Sequence, residues 1–285
     1  MITIITDSGS DIPQEEAKRL GIKVIPIITL FGNTEYRDGI DISYDEFYSR
    51  LENNHEFAKT TQVNPITYQE VFEEELDKGN EIICITLGSK LSGCFQSANI
   101  AKNSLNTDKI SIVDSNSVCV GQRNLVYLAI GCLNKGMSRI EVVNFLESKK
   151  NDLVVLATVD TLEYLQKGGR ISKTIAIIGG LLSIKPVIEL QSGVIKLIGK
   201  ARGYKNAHNM VSKVVEKYNG IDFSLPYSTA YSGNNKALLD KYLESNKELY
   251  KENTTSVPVY RIGAAIGTHC GPGTITLSFF KKKQH

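Results

Sequence analysis

The sequence predicts an α/β protein of two domains, with a parallel sheet in the N-terminal half and a mixed sheet in the C-terminal half. Strand-like and helix-like segments alternate through the first half, as they do in a parallel sheet covered by helices. The second half contains two β-rich runs separated by Gln191-Ser192-Gly193, which is typical of a β-hairpin. With 285 residues the chain is longer than most single domains. We place a boundary near Asp152, giving domains 1–152 and 153–285, and expect a small ligand to bind in the cleft between them.

In the N-terminal half, strands and helices are marked by apolar periodicity and by capping residues. Pro13 suits the first position of a helix, where its missing N–H is not needed, and Gly21 ends that helix. Ser43 followed by Glu46 predicts a capping box at the start of the next helix. Strands are predicted at residues 2–5, 23–30, 82–87 and 110–113, and helices at 13–20, 43–53, 64–78, from 95 onward, and at 125–133.

In the C-terminal half, β-rich runs are more frequent than helical ones. Strands are predicted at residues 153–159, 186–190, 194–198, 228–232, 257–261 and 274–280, and helices at 204–218 and 235–250. Residues 263–273 are predicted to form a Gly-rich turn between two strands. Its small residues let ligand atoms approach His269 closely, so we interpret this histidine as a site residue.

Composition excludes several classes of function. A net charge of +2 gives no electrostatic basis for binding nucleic acid or an anionic membrane. The longest apolar stretch, near residues 175–184, is too short and too interrupted by glycine to span a bilayer. The five cysteines form no close pair in sequence, which argues against a disulfide framework or a zinc site. The start of the chain reads as a strand rather than a signal peptide, so a cytoplasmic protein is expected.

The most informative segment is the Ser- and Gly-rich loop at residues 88–93, between the predicted strand 82–87 and the helix that follows. A loop past the carboxyl end of a buried strand is where open α/β sheets bind ligands, and the new helix begins with unpaired N–H groups. Ser92 and Gly93 therefore indicate a site for a small anion or a carboxylate. The alternative is that Ser89 or Ser92 only caps the helix.

Nucleotide-binding motifs are missing, and one catalytic alternative stays open. Residues 193–200 do not fit the spacing of a phosphate-binding P-loop, and no Rossmann fingerprint follows any strand. The turn at residues 6–11 contains two aspartates that would repel phosphate, so we interpret it as a turn and helix cap. A serine hydrolase using Ser92, His269 and Asp114 has the residue types of a triad but lacks the Gly-x-Ser-x-Gly elbow.

Seven short motifs follow one another along the chain in a fixed order. They are Thr6-Asp7-Ser8-Gly9-Ser10-Asp11, Thr60-Thr61-Gln62, Ser89-Lys90-Leu91-Ser92-Gly93 with Gln96-Ser97-Ala98, Val113-Asp114-Ser115, Leu162 to Ile171 ending in Gly168-Gly169-Arg170-Ile171, Leu181-Leu182-Ser183-Ile184-Lys185-Pro186, and His269-Cys270-Gly271-Pro272-Gly273. Together they resemble the DegV family of bacterial lipid-binding proteins, over about residues 2–281.

The resemblance implies a protein that buries one long-chain fatty acid, such as palmitate, stearate or oleate, between its two domains. It implies that hydroxyls of Thr61 and Ser92, beside Gly93, hold the carboxylate. His269 and Arg170 match family positions near the head group or at the mouth of the site. Some members hand the acid to a separate fatty acid kinase that makes acyl phosphate for lipid synthesis. The binding subunit would then carry no catalytic residue, cofactor or metal.

Two departures from the family pattern fall inside these motifs. Thr61 replaces a serine, which keeps the hydroxyl but restricts its rotamers, and Cys94 replaces a threonine, which removes a strong hydrogen-bond donor beside Ser92. The acyl tail needs apolar walls, for which the predicted sources are residues 175–182, 187–190 and 194–198.

Overall fold

The computed structural model describes residues 1–53, 57–172, 183–250 and 256–282. Its strands are β1 Ile2–Asp7, β2 Lys23–Ile25, β3 Ile28–Phe31, β4 Thr34–Arg37, β5 Lys59–Thr61, β6 Glu81–Thr86, β7 Ile110–Asp114, β8 Leu153–Thr158, β9 Ile184–Gln191, β10 Val194–Arg202, β11 Ser228–Tyr231, β12 Val259–Arg261 and β13 Ile275–Phe280. Its helices are α1 Gln14–Leu20, α2 Tyr44–Asn53, α3 Pro65–Asp77, α4 Cys94–Leu105, α5 Val120–Asn134, α6 Arg139–Lys149, α7 Glu163–Lys167, α8 Gly203–Lys217, α9 Ala237–Ser245 and α10 Ala264–Cys270.

The first sheet is parallel, with strand order β2-β1-β6-β7. Its strands are buried on both faces, because successive side chains point to opposite sides and both sides are covered by helices. On one face Ile5 and Ile82 pack with Tyr68 and Phe72 of α3. On the other face Ile4 packs in the cluster that contains the apolar residues of α5. The predicted parallel-sheet fold of this half is confirmed.

The second sheet is mixed and has six strands in the order β10-β9-β8-β13-β11-β12. The predicted hairpin is β9–β10, which is antiparallel and places Gln191 opposite Val194. Its two turn residues, Ser192 and Gly193, both have positive φ, at 48° and 77°, as a type I′ hairpin turn requires. The chain passes from the first sheet to the second through the turn Lys150–Asp152. The division into domains 1–152 and 153–285 stays a prediction.

Two predicted elements are each broken into two. The predicted strand 23–30 is β2 in the parallel sheet and β3 in a separate small sheet of order β4-β3-β5. Pro26 lies between them and has no N–H to donate, and the N–H of Ile27 bonds the Ser8 hydroxyl instead of a neighbouring strand. The predicted helix 235–250 ends at Ser245, where the side chain of Asn246 donates to the carbonyl of Tyr242.

The predicted Gly-rich turn at 263–273 is wrong in its first part, which forms helix α10. The glycines of this segment favoured a turn, but only Gly267 lies inside the helix, where one glycine costs about 1 kcal/mol relative to alanine. The helix begins where Asp11 and Asp38, from distant parts of the chain, accept hydrogen bonds from the backbone N–H groups of Gly263 and Ala264. A tertiary contact therefore decides the structure of this segment.

Candidate functional site

A cavity of about 290 Å³ lies between the mixed sheet and the elements of the first half. Ligand pockets for small molecules begin at about this size. Its floor is one face of the mixed sheet, because residues two apart on a strand share a face. The floor residues are Val155, Ala157, Ile188, Leu190, Ile195, Thr274 and Thr276, and the opposite wall includes Ile27, Leu87, Leu91, Val118, Ile262, Ala265 and Ile266.

The register of the sheet makes the apolar part of the floor continuous. Ala157, the fifth of the six residues of β8, lies opposite Ile188 of β9 on one side and Thr276 of β13 on the other. The side chains of Ala157 and Ile188 are each 8% exposed. A small residue at the centre of the floor leaves depth for a ligand, and its larger neighbours supply the apolar walls.

The polar end of the cavity is a ring of contacts around its opening. His269 Nε2 and Thr60 Oγ1 are 2.8 Å apart, and a Cβ atom on Gly168 would lie 2.1 Å from His269 Nδ1. Arg170 donates from Nη1 to the Gly168 carbonyl at 2.6 Å and from Nε to the Leu91 carbonyl at 3.0 Å. The loop that follows Leu91 contains Ser92 and Gly93. Gly93 lies against the side chain of Gln62, the residue after β5, and this contact completes the ring.

The contact between that loop and β5 depends on the glycine. A Cβ on Gly93 would lie 1.7 Å from Oε1 of Gln62, so only glycine leaves room for this side chain. Gln62 Nε2 in turn donates to Ser97 Oγ on α4 at 3.1 Å. The residue after β5 is thereby fixed against the start of α4, and the Thr60-Thr61-Gln62 and Ser92-Gly93 motifs meet at the opening.

The hydroxyl of Ser92 lies at the N-terminus of α4. It accepts a hydrogen bond from the backbone N–H of Cys94 at 3.3 Å and donates to Cys94 Sγ at 3.2 Å. The capping interpretation of Ser92 is therefore partly right, but the N-cap position itself is Gly93, with no side-chain cap. A thiol is a weak acceptor, so the Ser92 proton has only a weak protein partner.

Electrostatics at the opening favour a ligand anion. Burial, and then the nearby charge of Arg170, lower the pKa of His269 to about 4, so the imidazole is neutral at pH 7. Its Nδ1 is buried without a hydrogen-bond partner. Burial also lowers the pKa of Arg170, yet a guanidinium stays charged at neutral pH and has five N–H donors. The opening therefore presents a half-buried cation beside a neutral histidine and several hydroxyls.

All five residues predicted for the site line this cavity, namely Thr61, Ser92, Gly93, Arg170 and His269. Their roles toward a ligand stay predictions. Of the predicted tail walls, Ile188, Leu190 and Ile195 line the cavity, and residues 175–182 lie outside the described residues. Sequence reasoning missed Thr60 and Gln62 as lining residues, although both flank Thr61 in the same motif. It also missed Cys119 and Cys270 as lining residues, because a lone cysteine carries no spacing signal for a site.

The hydrolase alternative is not supported. A catalytic serine needs a hydrogen bond to its base, but the hydroxyl of Ser92 bonds Cys94 and the imidazole of His269 bonds Thr60. Asp114 Oδ1 accepts from the backbone N–H groups of Ser89 and Asn116, so it orders two loops. In the part of the chain that the structure describes, the three residues do not form a triad.

The same family emerges from comparison with known proteins. A family model described as "Uncharacterised protein, DegV family" matches residues 1–282. The chain belongs to the DegV family. A DegV domain-containing protein of Caldanaerobacter subterraneus is 35% identical over 282 residues, covering 99% of both chains. A DegV domain-containing protein of Clostridium perfringens is 35% identical over 286 residues, covering 97% of this chain and 96% of that protein.

Solved DegV structures have the same fold over their full length. A DegV family protein from Thermus thermophilus, described as fatty acid binding, superposes with a TM-score of 0.87 at 30% identity and covers 99% of both chains. DegV from Bacillus subtilis, described as a fatty acid binding protein, gives 0.82 at 30% identity with the same coverage. A stearic acid-binding protein from Eubacterium ventriosum gives 0.86 at 28% identity, again over 99% of both chains.

Among the described helices, none is both long and apolar enough to cross a membrane. Within the same residues, histidine, cysteine and acidic side chains form no group of three or more that could hold a metal ion. The five cysteines are all free and buried.

Proposed function

We propose that this DegV protein binds one long-chain fatty acid, with the carboxylate at the polar opening and the tail in the apolar cavity. The observation that carries the proposal is the shape of the cavity, whose apolar floor ends in the ring of polar residues around Arg170 and His269. Fatty-acid binding by related DegV proteins of similar length and fold supports it.

The head group requires donors, because an unpaired carboxylate in a dry site is costly. We assign this role to the hydroxyls of Thr61 and Ser92 and to the backbone N–H at Gly93. Arg170 supplies positive charge nearby, and it uses two of its nitrogens on backbone carbonyls, which fixes the guanidinium in place. A hydroxyl with only a thiol partner, as at Ser92, can turn to a ligand oxygen at little cost.

The tail supplies most of the affinity. Burying ~14 methylenes at ~0.8 kcal/mol each gives on the order of 11 kcal/mol of gross driving force. Loss of free translation and ordering of the chain remove several kcal/mol of this. Micromolar or tighter binding therefore follows from an apolar cavity alone, and the head-group residues set the orientation of the acid.

We further propose that the protein presents its fatty acid to a separate kinase in the cytoplasm. Thr61 and Gln62 are exposed, and Ser92 and Arg170 are only partly buried, so a carboxylate held there is within reach of a phosphoryl donor. Five free thiols suit a reducing compartment.

Lipid carried through purification tests the binding function. Extraction of the purified protein and mass spectrometry are expected to recover an acyl chain, and the delipidated protein is expected to bind added palmitate or oleate. Recovery of no acyl chain together with no binding of either acid would contradict the proposal. Any other carboxylic acid recovered instead would identify a different cargo for the same cavity.

The kinase step has its own assay. Loaded protein, ATP and a bacterial fatty acid kinase are expected to give acyl phosphate, which hydroxylamine traps as a hydroxamate. Free fatty acid with the kinase alone is the control. Equal product with and without the DegV protein would contradict presentation while leaving the binding function intact.

A further inference from the structure

Two buried carboxylates hold the N-terminus of α10, the helix that carries His269. Asp11 Oδ1 accepts from the backbone N–H of Gly263 at 2.8 Å, and Asp38 Oδ1 accepts from that of Ala264 at 2.9 Å. Both aspartates are only 2% exposed. Neither is among the described residues that line the cavity. The route to the site that both aspartates share is α10, and Asp11 also bonds the thiol of Cys119, a residue that lines the cavity.

We propose that Asp11 and Asp38 are positioning residues for the fatty-acid head group and act by fixing α10. This inference rests on the proposed function. Besides His269, the helix contributes three residues to the cavity wall, so its position decides where the imidazole lies relative to the opening. Asp11 belongs to the first motif of the sequence, and Asp38 to the loop after β4. Neither segment contributes a residue to the cavity lining among the described residues.

The helix depends on these contacts because it is short. It has seven residues, fewer than a helix needs to persist by itself in water. The first N–H groups of any helix have no partner within it. Two aspartates placed there satisfy such donors. Burial raises the pKa of Asp11 to about 7 and that of Asp38 to about 6, so at neutral pH it is mainly Asp38 whose charge complements the positive end of the helix dipole. Ile262, just before the helix, is held by hydrogen bonds to Tyr231 and Tyr48, and the aspartates bind the N–H groups at the start of the helix itself.

Sideways movement of α10 is restricted by different residues. A Cβ on Gly263 would lie 3.1 Å from the Tyr44 hydroxyl, and one on Gly267 would lie 2.6 Å from the Tyr48 hydroxyl. The two tyrosines of α2 thus press against the helix, and the aspartates hold its end. When a carboxylate is lost, the packing against the two tyrosines remains, but the helix is free to shift along its axis. Such a shift moves His269 away from Thr60.

A double-mutant cycle tests this coupling. Asp38→Ala is expected to raise the Kd for palmitate about fivefold to tenfold, as loss of a helix cap does. In the His269→Ala background the same substitution is expected to change the Kd by less than about twofold, because its effect passes through the imidazole. Asp11→Ala gives an independent arm if the Asp38 variant does not fold. Equal effects in both backgrounds would overturn the proposal.

Three further measurements separate positioning from general destabilisation. Asp38→Asn keeps an acceptor for the Ala264 N–H and is expected to restore binding to near the wild-type value. Asp41→Asn, at an exposed carboxylate that pairs with Arg37 in the same loop, is the matched control and is expected to bind normally. In ligand-free protein, the imidazole NMR signals of His269 are expected to shift in Asp38→Ala and to stay in place in Asp41→Asn.

The NMR readout needs no ligand, so it distinguishes two kinds of failure. If wild-type protein binds no palmitate, the proposed function fails, while a shifted His269 signal in Asp38→Ala still supports the positioning role. If palmitate binds and the His269 signal is the same in Asp38→Ala as in wild type, the positioning role fails by itself.

Discussion

Thr60 Oγ1 and His269 Nε2 are joined by a hydrogen bond of 2.8 Å between residues 209 positions apart in the sequence. Thr60 lies on β5, an edge strand of the small sheet, and His269 lies in the last turn of α10. The bond closes the ring of polar residues at the opening of the cavity. The polar end of the cavity therefore depends on two small elements, and its apolar floor depends on the large mixed sheet.

Substitution of Ser92 is expected to weaken fatty-acid binding. Ser92→Ala removes a donor to a buried charge, which costs about 1–3 kcal/mol, and the Kd for palmitate is expected to rise accordingly. Isothermal titration calorimetry measures the change. Ser89→Ala, at an exposed position of the same loop, is the control and is expected to bind like wild type. An unchanged Kd in Ser92→Ala would remove Ser92 from the list of head-group ligands.

Gly93→Ala is expected to disturb the opening by steric overlap alone. The φ of Gly93 is −77°, which any residue adopts, but the added methyl would overlap Gln62 and expel it from its bond to Ser97. Palmitate binding is expected to weaken several-fold, with about 1 kcal/mol lost in the free energy of unfolding.

Gly131→Ala is the matched glycine control. Nothing lies within 4 Å of a Cβ at this helical position, so the substitution is expected to stabilise the protein by about 1 kcal/mol and to leave binding unchanged. Denaturant unfolding and the same calorimetric titration measure both variants. Normal binding by Gly93→Ala would show that the Gln62 contact has no part in the site.

The imidazole of His269 is expected to stay neutral in ligand-free protein down to about pH 5. Burial and Arg170 lower its pKa to about 4 in the folded state, below the ordinary value of 6.5 in the unfolded chain. The unfolded chain binds the proton first as pH falls. The contribution of His269 to stability is therefore complete above pH 6.5 and is lost as pH falls toward 4.

A bound carboxylate reverses part of this shift. A negative charge beside the ring favours its protonated form, so palmitate is expected to raise the pKa of His269. An NMR titration of the histidine side chains follows this directly. His208 is the internal control: burial lowers its pKa to about 4 as well, but it does not line the cavity and is expected not to respond. Equal responses of both histidines, or none in either, would contradict a carboxylate at the opening.

The depth of the cavity is expected to depend on Ala157. Ala157→Leu places three more carbons at the centre of the floor, so long tails lose buried surface at ~0.8 kcal/mol per excluded methylene. The Kd for stearate is expected to rise by roughly tenfold or more, and that for decanoate by less than about threefold. Competition with a fluorescent fatty acid measures both. An equal rise for the two acids would place the tail elsewhere.

The sequence determined the two sheets and most of their helices, because each follows from local periodicity and capping. The turn residues Gln191-Ser192-Gly193 between two β-rich runs predicted the hairpin β9–β10, and Pro13 and Gly21 predicted the first helix to within one residue. The motif order also identified the family and brought forward the five residues that line one cavity. The strands, the helices and the hairpin turn depend on contacts within a few residues, so the local sequence predicts them.

Tertiary structure decided the segments whose local signals are weak or misleading. Strands β4 and β5 are three or four residues of mostly polar sequence and exist only through pairing with β3. Helix α10 lies in a segment that is rich in glycine and is held by Asp11 and Asp38, which are more than 200 residues away in the sequence. Thr60 and His269 meet only after both of these elements are in place. The local sequence does not indicate which distant residues form hydrogen bonds with one another. The geometry of the opening is therefore decided by the tertiary structure.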